Sequence, residues 1–179
     1  MASKTSEPQL AEDWNVQAQE EGFRIEPVNM LACPKEVKLR CEITGAPATI
    51  QMVTPYLTLF FGSRHDAEIA WSGILYKIAP LLGPIRSNPP VIGSEEERQR
   101  RKYTLDVSKR ALIDLTKTEA ANLLARGQFA LSIPGALQAM KLTKDVHGDN
   151  SIELVPTYLL LAEANLGLKR YKSAEEFLS

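Results

Sequence analysis

Apolar residues recur at helical intervals over most of this chain, but not at its start. Residues 1 to about 30 are polar and acidic, with isolated Trp14, Phe23 and Ile25 and no sustained period, which predicts an extended or disordered arm over 1–30. Aromatics isolated in such an arm are candidates for docking on a neighbour. Over 31–82 the pattern predicts a small α+β module, with strand-like pieces at Val37–Ile43 and Tyr56–Phe61 and then a helix over Asp66–Leu82. In that helix Ile69, Ile74, Ile78 and Leu82 form a stripe and Trp71 lies beside it. "GPIRSNPPVIG", residues 83–93, holds three prolines and two glycines and predicts a linker.

Ser94 opens a long helix. Ser94-Glu95-Glu96-Glu97 fits the capping box, in which the hydroxyl accepts from a backbone N–H and Glu97 reaches back. Acids in the first turn suit the helix dipole. The "RQRRK" that follows is read as a solvated helix face, because three glutamates precede it and Tyr103, Val107, Ala111, Leu112 and Leu115 continue an apolar stripe. Further on, "AANLLARGQFALSIPGAL" (Ala120 to Leu137) and "AEANLGLKRYKSAEEFL" (Ala162 to Leu178) align at a constant offset of 42 residues. Ala120 falls on Ala162, Leu124 on Leu166, Phe129 on Tyr171 and Ser132 on Ala174. A small residue on one helix, an aromatic at the turn and a small residue three later suit two closely packed antiparallel helices. Tyr171 is expected to pack into the small surface around Ala162 and Ala174.

Composition narrows the partners. At 179 residues and 44% hydrophobic the chain can bury a real core, and its net charge of −1 removes the bulk electrostatic argument for a nucleic-acid or anionic-membrane partner. The apolar runs "VTPYLTLFF" and "LVPTYLLLAEA" carry prolines and fall short of the roughly 20 residues a membrane span needs. Cys33 and Cys41 are too few for a disulfide framework, and the amino terminus has no signal-peptide pattern, so an intracellular protein is expected. Its two histidines, His65 and His147, lie in different modules, and neither "GAPA" nor "HGDN" has the spacing of a phosphate loop. No nucleophile-base pair stands out, so no enzyme is expected.

The 42-residue repeat resembles the tetratricopeptide repeat (TPR). Its period exceeds the ~34 residues of the common form. "HGDNSIELVPTYLLLAEANLGLKRYKSAEEFL" is similar to the longer kinesin-light-chain variety, with a His-Gly-Asp turn and an "RYxxAE" joint. The resemblance implies a TPR-like α-solenoid over 94–179. Leu124, Phe129, Ala136, Leu161, Ala162, Tyr171 and Ala174 are then packing positions, and function lies on the concave helix face near Lys117, Ala121, Leu159 and Glu163. Because such repeats need neighbours, the array is expected to continue beyond Ser179.

"LRCEITGAPATIQMVTPYLTLFFGSRH", Leu39 to His65, resembles a MYND-type finger, which holds two interleaved zinc ions. Laid on that pattern, the ligand slots fall on Cys41, Thr44, Met52, Pro55, Phe61, His65, Leu75 and Ala79, so only Cys41 and His65 keep a ligand type. Zinc needs about four N or S ligands, so no metal and no other cofactor is expected. Cys41 and His65 are vestigial positions, and apolar contacts take the place of the metal. The apolar surface around Tyr56, Leu59, Phe60 and Trp71 becomes a candidate interface.

A degenerate finger, "SEEERQ" after a proline linker, and "ELVPTYLLLAEANLGL" together resemble the family of zinc finger MYND domain-containing proteins that also carry TPR repeats. The resemblance covers residues 30 to 179. It implies a mainly α protein with an arm, a degenerate MYND-like module and a TPR-like solenoid. It also implies a ciliary axonemal adaptor associated with the heavy chain of a single-headed inner dynein arm (dynein d) and with a partner TPR protein, beside the doublet microtubule. Two other classes stay open: a cytosolic TPR peptide receptor of the cochaperone kind, and a MYND-type transcriptional corepressor. The first needs paired Lys/Asn/Arg on the concave face, where Lys117 qualifies and Ala121 does not. The second needs an intact finger.

Overall fold

The computed structural model describes residues 22–29, 38–87 and 93–179. They divide into two units between Arg64 and His65. The first is built on a period of two. Strands β1 (Arg24–Pro27), β2 (Ile50–Val53) and β3 (Thr58–Phe61) form an antiparallel sheet with β2 in the middle. The register sets Ile25 beside Met52 and Met52 beside Leu59; in the next row of the same face Pro27 meets Ile50 and Ile50 meets Phe61. Strand alternation gives this face the apolar side chains, and Met52, Leu59 and Phe61 are fully buried. Each contributes roughly 1.5–3 kcal/mol on leaving water. Glu26, Gln51 and Phe60 share the other face, where the Gln51 amide donates to Glu26 at 3.4 Å. Thr54 closes the β2–β3 hairpin: its hydroxyl donates to the Leu57 carbonyl at 2.7 Å and accepts from the amides of Tyr56 and Leu57.

Two expectations change in this unit. β1 lies inside the segment 1–30 read as an arm, and Phe23 is buried; pairing with β2 overrides the polar composition around it. Trp14 and Cys33 lie outside the described residues. Over Val37–Ile43, Val37 is also outside them and the rest is irregular, with a turn at Glu42 and Ile43, rather than a strand. Arg40 makes a single bridge to Pro47, and Cys41 opens a loop closed by Cys41 N–H to the Ala46 carbonyl (2.7 Å) and Gly45 N–H to the Cys41 carbonyl (3.0 Å). Gly45 takes φ +69° there, a conformation that only glycine adopts without strain.

The second unit is helical. α1 (Arg64–Ala70) runs into a π-helical turn, Trp71–Leu75, and on into α2 (Tyr76–Arg86). α2 passes through Pro80 and Pro84 into the segment 83–93 read as a linker, of which 88–92 lie outside the described residues. α3 (Glu95–Ala125) starts with the expected box: Glu97 N–H donates to Ser94 Oγ at 3.3 Å, and Ser94 N–H to Glu97 Oε2 at 3.0 Å. α4 (Phe129–His147) folds back on α3, and a 3₁₀ turn at Ile152–Leu154 leads to α5 (Val155–Gly167) and α6 (Tyr171–Leu178). Ala120, Ala136 and Leu161 meet as a core from α3, α4 and α5, with Ile133, Leu137, Met140, Leu160 and Phe177 packed on it. The protein is mainly α with one small sheet.

The two helical hairpins end their first helices in the same way, 42 residues apart. Gly127 N–H donates to the Leu124 carbonyl (2.8 Å) and Gln128 N–H to that of Leu123 (2.9 Å); Lys169 N–H donates to Leu166 (2.9 Å) and Arg170 N–H to Asn165 (2.8 Å). Gly127 has φ +72° and Lys169 φ +59°. This left-handed residue satisfies the last helix carbonyls, and it strains a lysine by about 1 kcal/mol or more. Lys169→Gly should therefore raise stability by about 0.5–1 kcal/mol after the extra freedom of the unfolded glycine is subtracted. A melting curve at or below that of the parent chain would show that Lys169 is not strained.

Candidate functional site

Among the described residues the candidate features are surfaces. Lys117 and Ala121 occupy successive turns of α3, and Leu159 and Glu163 successive turns of α5. In each pair the spacing of four puts both side chains on one stripe of their helix. Lys117 is half-buried; Ala121, Leu159 and Glu163 are exposed. α3 and α5 touch directly. Tyr56 is 54% exposed at the β2–β3 turn. Phe60 is half-buried on the polar face of the sheet, and Trp71 is half-buried at the start of the π turn. Leu59, expected on the same surface, is fully buried, because one step along a strand moves a side chain to the opposite face.

The repeat register is filled at its small positions: Ala120, Ser132, Ala162 and Ala174 are all buried. Its second aromatic is not. Tyr171 is 65% exposed and so does not pack into the surface around Ala162 and Ala174. The reason shows in the first hairpin, where the Phe129 ring lies so close to Gly167 that a Cβ on the glycine would overlap it. The Phe129 ring thus packs on the last turn of the next hairpin's first helix, across hairpins rather than within one.

At the positions matched to the finger, Cys41 is buried and its Sγ accepts the Thr44 amide at 3.5 Å, while the Thr44 hydroxyl accepts the Ala46 amide at 3.3 Å. The loop is thus tied by hydrogen bonds through a thiol and a hydroxyl. Met52, Phe61, Leu75 and Ala79 are each at most 1% exposed and serve as core. His65 is exposed on α1. Among the described residues no three of His, Cys, Asp and Glu converge as metal ligands. His147 ends α4. No described helix is long and apolar enough to cross a membrane.

Two features escaped sequence reasoning. Lys77 Nζ and Glu119 pair at 2.7 Å and fasten α2 to α3; the hydrogen bond to Glu119 holds the Lys77 ammonium above its ordinary pKa. The π turn brings Gly73 against the backbone of α4, where a Cβ would overlap the Leu131 carbonyl and stand 3.6 Å from Pro134 Cγ. The signal available for the second was a glycine inside a strongly helical pattern. No family model matches the chain.

Proposed function

We propose that this chain is a structural adaptor of the ciliary axoneme, similar in kind to zinc finger MYND domain-containing protein 12. In this reading it anchors or assembles a single-headed inner dynein arm of the dynein d type together with a partner TPR protein. The observation that supports it is the repeated hairpin closure at 42-residue spacing, with small residues buried at Ala120 and Ala162 and again at Ser132 and Ala174. We read α3–α4 and α5–α6 as successive TPR-like pairs of an α-solenoid, a scaffold whose first helices line one face and bind other proteins. Lys117, Ala121, Leu159 and Glu163 lie on those first helices. The finger-like module contributes shape and contact surface, with no metal and no catalytic step.

The test is recovery of the dynein heavy chain and the partner TPR protein with a tagged copy from salt-extracted axonemes. The wild-type chain should bring down both. Lys117→Glu, Leu159→Asp and Glu163→Lys combined should lower recovery by about tenfold or more, since interface energy concentrates in few residues. Full recovery with the triple variant would remove the α3–α5 face from the reading. A wild-type chain found only in a soluble chaperone complex or a nuclear pool would replace the adaptor with one of the other two classes.

A further inference from the structure

The basic stretch of α3 acquires a different meaning beside α2. Between the two helices runs an open groove of about 560 Å³, floored by Leu105, Ala111, Leu112 and Leu115 of α3 and walled by Pro80, Leu81, Pro84 and Ile85 of α2. Its polar lining is confined to Arg101, Thr104 and Ser108. Leu81 is 50% exposed, so the groove presents apolar surface to solvent. A volume between roughly 300 and 1,000 Å³ suits a small ligand as well, but this site is a trough along four turns of one helix face rather than an enclosed cavity.

Charge selects the occupant. Over residues 95–110 α3 carries six cations against four carboxylates, Glu95, Glu96, Glu97 and Asp106, in a chain whose net charge is −1. Glu97 is engaged by the Ser94 cap, and the cations of 98–102 are followed by Asp106 alone. At about 100° per residue, Arg101 falls within the lining arc and Arg98 and Arg100 fall just outside it on opposite sides. Arg98 is held by Glu95 at 3.3 Å and Lys109 by Asp145 at 3.7 Å. Among the described residues Arg100, Arg101 and Lys102 form no ion pair. An apolar trough with an excess of cations at one end, among them Arg100 and Arg101 held in no ion pair, matches an amphipathic helix laid in a groove by its i, i+3, i+4, i+7 stripe, with carboxylates beside that stripe. A nucleic acid would use the cations but not the leucine and proline walls, and no aromatic ring lines the trough for a base to stack on.

We infer that the groove between α2 and the amino-terminal half of α3 is a docking site for an acidic amphipathic helix of a partner protein. It does not depend on the axonemal reading, since it rests on α2 and α3 alone.

The experiment selects helices on the full chain. A displayed library of about 18-residue helices has Leu, Ile, Phe and Met randomised on one stripe and Glu, Asp, Lys and Arg randomised beside it. Enriched sequences should be acidic beside the stripe. Their affinity should fall about tenfold or more in Leu81→Glu and in Arg100→Glu with Arg101→Glu; all three side chains are exposed, so these variants should keep the parent circular dichroism. No enrichment, enrichment of neutral or basic helices, or equal affinity for wild type and both variants would overturn the inference. So would a single-stranded oligonucleotide that binds more tightly than the selected helices.

Discussion

Gly73→Ala should destabilise the helical unit by roughly 2–3 kcal/mol, even though alanine is the better helix former by about 1 kcal/mol. The added methyl would overlap the Leu131 carbonyl. That oxygen belongs to the backbone of α4, so it cannot swing aside as a flexible side chain would. The π turn and α4 would have to separate, loosening buried Ile74 and Leu75 as well. Gly135→Ala is the internal control. Its Cβ would stand 3.4 Å from Ala120 Cβ and from the Thr116 carbonyl, which is ordinary contact, so the helix-propensity gain survives and stability should stay level or rise by up to about 1 kcal/mol. Chemical denaturation followed by helical circular dichroism compares the two. Equal effects would mean that the π turn does not approach α4 this closely.

Leu161→Ala should cost about 2–5 kcal/mol. Leu161 is fully buried where α3, α4 and α5 meet, and its fully buried neighbours are Ala120 and Ala136. Ala120 and Ala136 offer only fixed methyl groups, so the space is refilled only as far as the partly buried neighbours such as Met140 and Phe177 relax into it, and the lining of what remains loses contacts. Leu159, two residues away on α5, is 53% exposed, and Leu159→Ala should stay within about 0.5 kcal/mol. The pair separates stability from recognition. If Leu159→Ala is as damaging as Leu161→Ala, the α5 stripe assigned to partner contact is core instead.

Much of the helical unit was legible because its determinants are local. The Ser94 box needs only Ser94 and Glu97, and both of its hydrogen bonds form. The 42-residue offset rests on small residues whose burial follows from helix contact. The sheet was less legible. "TIQMV" alternates over four residues only, and β1 becomes a strand because β2 lies beside it, a pairing between residues far apart in sequence that no window along the chain contains. Tyr171 was misplaced for a related reason: its type matched Phe129, but the ring of Phe129 rests on a residue of the next hairpin. The groove was hidden because its two walls were assigned to different segments: the basic residues of α3 to a solvated face, Pro80 and Leu81 to the end of the preceding helix, and Pro84 and Ile85 to a linker.

The π turn at Trp71–Leu75 also bears on how this helix tolerates changes in length. An i→i+5 turn accommodates one residue more than the α turn it replaces, so α1 and α2 keep the mutual phase of a plain helix one residue shorter. A chain lacking one residue within 71–75 could close as unbroken α-helix with both flanking faces intact. The same deletion in α2 would rotate every side chain beyond it by about 100°, carrying Leu82 off its buried face. Insertions and deletions among related sequences should therefore concentrate at the π turn.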